Sequence, residues 1–249
     1  MDIKTEKFGV GEIIRAGWQV YWGNFTNMLL VVLCLYIPIN IVESFIPSGE
    51  SGSSSQRLYF EASWLLRGLF GVIAIIAMAY IVEKAIQGGK IVWAEALKHG
   101  FSRWGSVIVT NILANIILLG LSLLLIVPGI IWYVYYTFYV YVVALRSIGG
   151  KTALDYSKNL VKGQWWRVAG ISLLTVILYG LASVIIAIPF IFLPPHQIGG
   201  IISTTISSVI FSIGNVTMMI FFLNTDYLKN PAPFAPLDFV EGVAPATQP

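Results

Sequence analysis

The chain is built from long apolar runs that come in pairs. Val168–Leu193 and Ile198–Leu223 are each 26 residues without an Asp, Glu, Lys or Arg. Ser106–Leu145 is a charge-free run of 40, broken near its middle by Pro128-Gly129. At 1.5 Å per helical residue, about 20 apolar residues cross a bilayer core, so these three runs hold four membrane helices. Thr26–Pro47 and Ala62–Val82 each carry one charge and bring the number to six. The predicted spans are 26–47, 62–85, 106–127, 129–147, 168–193 and 198–223, within one membrane domain of residues 1–230.

The polar positions between the spans have a helical period of their own. Val10, Ile13, Ile14, Trp18 and Tyr21 form one apolar stripe, and Ala94, Leu97, Phe101 and Trp104 a second. Ala153, Leu154, Ser157, Leu160 and Val161 form a third, with Lys, Arg, Asp and Glu off each stripe. Thr152 followed by Asp155 fits a capping box and predicts that the third helix starts there. Glu12–Trp18 resembles Glu95–Phe101 at an offset of 83, and Trp104 to Pro128 matches Trp165 to Pro189 in spacing, 24 residues each. The expected fold is all-α: a polytopic membrane bundle of six transmembrane helices, arranged as three parallel repeats of an amphipathic surface helix plus a transmembrane hairpin. Pro128-Gly129 and Pro194–Gln197 read as short hairpin turns, and Ser48–Gln56 as a longer mobile loop. Residues 231–249 hold five prolines and read as a disordered cytoplasmic tail.

Composition agrees: 57% of residues are hydrophobic, 11% charged, and the mean hydropathy is +0.81. The net charge of +3 is too small to point to a nucleic-acid partner. Its distribution is informative. Lys4, Lys7 and Arg15 precede the first span. Lys84, Lys90, Lys98 and Arg103 lie between spans two and three, and Arg146, Lys151, Lys158, Lys162 and Arg167 between spans four and five. The alternate loops hold only Arg57, with Arg67 just inside span two, so both termini are expected in the cytoplasm. The lone Cys34 has no partner for an intramolecular disulfide. No short apolar region ends in a small-residue cleavage site, so the first span is expected to be retained.

Ile126–Ile131 (IVPGII) and Ala153–Val168 (ALDYSKNLVKGQWWRV) resemble the membrane domain associated with glycerophosphoryl diester phosphodiesterases, and related uncharacterised families of bacterial six-span membrane proteins. The resemblance implies a multi-pass protein of the bacterial cytoplasmic (inner) membrane. Some members of the named family carry a soluble phosphodiesterase domain. This sequence contains none, so the resemblance carries no enzyme activity over.

Three groups of residues are candidate sites. Lys158, Lys162 and Arg167 beside Trp165 and Trp166 suit lipid headgroups of an anionic leaflet; the same residues also suit topology determination and an interfacial aromatic belt. Glu43 and Arg67 lie at similar depth and suit a structural ion pair, a proton-coupling carboxylate being the alternative. Thr204, Ser208, Ser212 and Asn215 recur on one face of span six, and Asn111 and Asn115 on one face of span three. They suit either a polar intramembrane path or close helix packing. His99 and His196 are expected on opposite sides of the membrane, and no acid, His or Cys cluster has ligand spacing. No catalytic residue, metal or cofactor is therefore expected, and the chain is not expected to be an enzyme. The leading expectation is a scaffold or accessory subunit that organises lipids or partner proteins. A small transporter or lipid-handling carrier, and a membrane anchor for a separately encoded enzyme, are the alternatives. Expected partners are membrane lipids, with a protein partner or a homo-oligomer left open.

Overall fold

The computed structural model describes residues 3–46, 52–89, 91–191 and 197–230. The regular structure among them is helical throughout: α1 (Val10–Gly23), α2 (Phe25–Ser44), α3 (Ser54–Ile86), α4 (Trp93–Leu124), α5 (Ile126–Tyr135), α6 (Tyr139–Arg146), α7 (Gly150–Val161), α8 (Trp165–Ile191) and α9 (Gln197–Lys229). Among the described residues, six stretches are long and apolar enough to cross a membrane, with α5 and α6 together making one. The protein is a multi-pass helical membrane protein. Residues 48–51 of the expected Ser48–Gln56 loop, residues 192–196 at the end of span five and in the last turn, and the tail 231–249 lie outside the described residues.

α3 and α9 are the central helices. Of the most apolar window in each, 61% and 67% is buried, against 17% in α4 and in α8, whose outer faces are left to lipid. The buried length is not spread evenly. In α3 it runs from Gly71 to Glu83, and α6 is buried from Tyr141 to Arg146. In α9, Val216, Thr217 and Met219–Asp226 are buried. The compact core therefore lies toward the end of the bundle where both described termini meet, here the termini end. There Asn224 donates to the carbonyls of Ile3 and Glu6 and accepts from the Phe8 amide. Toward the opposite, turn end, α3 from residue 54 to 70 and α8 beyond Tyr179 hold no buried residue among the described ones.

The short helices depart from the expected pattern in instructive ways. α1 packs lengthwise on α9 through Ile13, Gly17 and Tyr21, while Val10 and Trp18 of the expected stripe are exposed. Gly17 sets this face: a Cβ there would stand 2.7 Å from Thr217 Oγ1 and 2.9 Å from Thr217 Cα. The second expected surface helix does not exist as a separate element, because residues 94–104 are the first turns of α4. They run antiparallel along α3, with Trp104 Nε1 donating to Leu69 O at 2.6 Å. Small residues decide the contact face. Ala96, His99 and Gly100 are buried and Phe101 is exposed, and a Cβ on Gly100 would lie 2.9 Å from Ile73 O.

In α7, Ala153, Leu154, Ser157, Leu160 and Val161 are the buried residues. This helix starts at Gly150 rather than Thr152; Gly150 has φ +62°, and its N–H donates to Thr110 Oγ1 at 2.8 Å. The turn between α4 and α5 falls at Leu125, so Pro128 sits in the first turn of α5, where its missing N–H costs little. Span four is not one helix. Between α5 and α6 the chain breaks at residues 136–138, and the buried Ser157 hydroxyl repairs the break by accepting from Phe138 N and donating to Tyr135 O. α3 and α9 are longer than the apolar runs predict: α3 starts at Ser54, with Ser53 Oγ accepting from Gln56 N, and α9 continues past Leu223 to Lys229.

Candidate functional site

Three helices bring one charge each into the core at the termini end. Arg146 closes α6. Its Nη1 donates to Glu83 Oε1 of α3 at 2.5 Å and its Nε to Asp226 Oδ2 of α9 at 2.8 Å, with Nη2 2.7 Å from the same Asp226 oxygen. The side chains of Arg146, Glu83 and Asp226 are 2%, 5% and 1% exposed. Tyr156 of α7 donates its phenol to Asp226 Oδ1 at 2.5 Å, and Asn230 donates to that phenol and to the same carboxylate. Burial first, and the bond to Asp226 second, push the Tyr156 phenol up. A buried charge without its partner costs several kcal/mol, so this cluster ties the last turns of α3, α6 and α9 together. His99, which is not on the apolar stripe expected there, is also inside. Its Nε2 pairs with Ala144 O at 2.9 Å, and its ring stacks on Tyr80 at 4.6 Å.

A second polar network stands at the turn end. Arg67 of α3 donates from Nε and Nη2 to the two oxygens of Glu43, at 2.8 and 2.6 Å, and from Nη2 to Asn40 Oδ1 at 2.8 Å. Asn40 in turn donates to Thr205 Oγ1 of α9 at 2.8 Å. Glu43 is buried at 4% exposure, whereas Arg67 is 34% exposed. The guanidinium is thus gripped through Nε and Nη2, and the side chain is partly exposed.

Arg67 lines two spaces: a shallow one of about 740 Å³ formed within α3 by Phe60, Glu61, Ser63, Trp64 and Leu65, and a cavity of about 530 Å³ between α2, α3, α4, α8 and α9. Trp64, Arg67, Gly68, Gly71, Val72 and Ile75 of α3 form one wall. Tyr36 of α2 and Phe211 of α9 add apolar surface, and Asn111, Ser183, Ser207 and Ser208 supply the other polar groups. Two glycines hold this space open in different ways. A Cβ on Gly71 would meet Tyr36 Oη at 3.1 Å, whereas one on Gly68 would meet nothing within 4 Å. Sixteen residues of α3 separate Arg67 from Glu83, about 24 Å along the axis, against a hydrocarbon core of about 30 Å. The ionic cluster and Arg67 thus lie toward opposite ends of the bundle, and the cavity extends from Arg67 along α3 to Ile75. Its lining is mostly apolar with a few polar groups, the usual make-up of a small-molecule pocket.

The expected polar stripes divide between separate surroundings. Asn111 and Ser208 line the cavity. Asn115 turns back on its own helix, donating to the backbone carbonyl of Asn111 at 2.9 Å and to its side-chain oxygen. Ser212 is sealed at 1% exposure beneath Tyr21, whose phenol lies 3.0 Å away. Asn215 donates to Phe211 O, and Thr204 to Ile201 O. Neither Asn115 nor Asn215 is among the residues that line the cavity.

The basic group at the start of α8 is similarly divided. Lys162 is exposed and Trp166 is 83% exposed. Lys158 lies over the Trp132 ring at 4.3 Å, and Trp165 Nε1 donates to Ile131 O. Arg167 donates to Gln164 and to Phe8 O, holding the N-terminal segment. Among the described residues, no three His, Cys, Asp or Glu side chains are placed to hold a metal ion. Sequence reasoning missed the ionic cluster and Gly68, Ser183 and Ser207. The usable signal for the cluster was that Glu83, Arg146 and Asp226 each fall in the last turn of a hairpin's second helix, with charges that complement one another.

A family model described as a domain of unknown function (DUF7847) matches residues 60–228, from the cavity wall of α3 through the ionic cluster. No curated protein and no solved structure matches the chain.

Proposed function

The chain belongs to the DUF7847 family, a domain of unknown function, and we propose that it is a non-enzymatic lipid-handling membrane protein. In this reading it takes an amphiphile from the leaflet at the turn end into the cavity beneath Arg67. The observation that carries the proposal is the contrast between the two ends: a core closed by Arg146, Glu83 and Asp226 at one, and a cavity with a polar rim and apolar depth at the other. Together they make a cleft open on one side, as a carrier or lipid-presenting protein requires. The positive-inside pattern supports both termini in the cytoplasm and thus a cavity facing the outer leaflet of a bacterial inner membrane. The position of the three cluster residues, one per hairpin, supports three parallel repeats meeting at the cluster.

The deciding experiment is extraction from native membranes into polymer nanodiscs, followed by mass spectrometry of what is retained, for the wild type and for Gly68→Phe. A side chain at position 68 enters open space, so the variant folds with the wild-type yield and loses the retained lipid. Unchanged lipid at unchanged stoichiometry in Gly68→Phe would sink the proposal. A second reading, a scaffold or accessory subunit, is supported by Trp18, Trp22 and Trp166, exposed by 51%, 48% and 83%. A stoichiometric protein partner in the same nanodiscs would favour it. If that partner were a phosphodiesterase, the likeness to the membrane domain of glycerophosphoryl diester phosphodiesterases would instead support an anchor for a separate enzyme.

A further inference from the structure

We infer that the amphiphile is a phospholipid, held by its phosphate on the Nη1 edge of Arg67 with a chain lying along Gly68, Gly71, Val72 and Ile75; this rests on the lipid-handling reading. A guanidinium carries five N–H donors in a fixed plane. Nε and Nη2 of Arg67 are engaged by Glu43 and Asn40, while Nη1 takes no protein partner among the described residues. Its two donors belong to a side chain that is 34% exposed and lines the cavity. The fork is also fixed in direction. Glu43 grips it through both carboxylate oxygens, and Asn40 is itself held by Thr205, so the open edge is organised before a ligand arrives.

Depth selects among acceptors. Arg67 lies about 24 Å along α3 from the ionic cluster, which puts it near the junction of hydrocarbon and headgroups, where lipid phosphates and ester groups are found. Planar guanidinium matches phosphate oxygens well, and such charge-assisted bonds are about twice as strong as neutral ones. Glu43 already balances the charge of Arg67 from behind. The site therefore reads the phosphate as an acceptor and does not require a net anionic headgroup. Zwitterionic and anionic phospholipids both fit, and a diacylglycerol of the same chains lacks the group that Nη1 recognises.

The test uses the full chain in nanodiscs made with equimolar palmitoyl-oleoyl phosphatidylglycerol and the matching diacylglycerol, the lipid retained per protein being counted by native mass spectrometry. Wild type retains the phospholipid over the diacylglycerol by about tenfold or more, the factor a charged hydrogen bond brings. Arg67 replaced alone leaves Glu43 buried and unpaired, so the informative variant is the charge-balanced Glu43→Gln/Arg67→Met. It loses the phospholipid preference while retaining diacylglycerol at the wild-type level. Glu43→Gln by itself keeps the preference or raises it. A double variant that still prefers phospholipid overturns the inference and leaves lipid handling standing. Gly68→Phe retaining both lipids as the wild type does overturns the lipid-handling reading itself.

Discussion

Replacing Arg146 by Met tests whether the termini end is held by a dry ionic cluster. The guanidinium is 2% exposed and sits between Glu83 and Asp226, at 5% and 1%. Methionine has similar bulk, so the substitution leaves the packing and removes the only cation that touches both carboxylates among the described residues. Two acids then face each other without water. Breaking a buried pair from one side costs about 3–5 kcal/mol. For a chain of this length each kcal/mol moves the midpoint by roughly 2–4 °C, so Arg146→Met unfolds some 6–20 °C below wild type. Two controls separate charge from shape. Glu83→Gln leaves Arg146 paired with Asp226 and stays within about 1 kcal/mol of wild type. The triple variant Glu83→Gln/Arg146→Met/Asp226→Asn removes all three charges and returns to wild-type stability or above, as neutral replacements of buried ion clusters commonly do. Thermal unfolding in one detergent, followed by intrinsic tryptophan fluorescence, measures all four proteins. If Arg146→Met melts within 2 °C of wild type, water reaches the cluster and Arg146 is only a topology charge.

Gly17→Val places a side chain against Thr217 Oγ1 and also against its Cα, so it costs about 1–3 kcal/mol, and Thr217→Ala does not rescue it because the backbone remains in the way. A melt of the single and double variants decides this, and full rescue would refute the backbone contact. Tyr156 has its phenol raised above the ordinary value of about 10, by burial and by the bond to Asp226. Its contribution is therefore complete below that value and is lost as pH rises from about 10 toward the higher folded value. Tyr156→Phe should lower the melting temperature at pH 7 to 9 and show a smaller further loss between pH 10 and 12 than wild type. Parallel curves across that range would exclude Tyr156 as a source of the alkaline loss.

The span count was legible because apolar length alone decides whether a segment enters a bilayer. The end of span six was less legible, since Asp226, beyond the predicted end at Leu223, carries a charge that ordinarily marks a helix leaving the membrane. Arg146 of α6 and Glu83 of α3 balance it only once three distant segments meet. The stripe in α7 was readable because its partners are long apolar surfaces. The stripes in α1 and α4 were misjudged because Gly17, Ala96 and Gly100 face the contact, and small residues carry little hydrophobic signal while permitting the closest approach. Ser157 looked like a minor blemish on an apolar stripe, and its purpose became visible only beside the break at residues 136–138.

Sequence by itself determined that this chain is a six-span helical membrane protein with an acid and a base at matched depth in the first hairpin. Hydrophobic length and the cost of a lone intramembrane charge are local properties, and each can be read along one segment. Tertiary structure decided which polar residues are locked in the core, which face the cavity, and where the guanidinium of Arg67 opens. Those outcomes depend on the divergence of five helices at one end and on Gly68 leaving the space between them unfilled. No single segment contains that information, because a cavity is a property of the distances between helices.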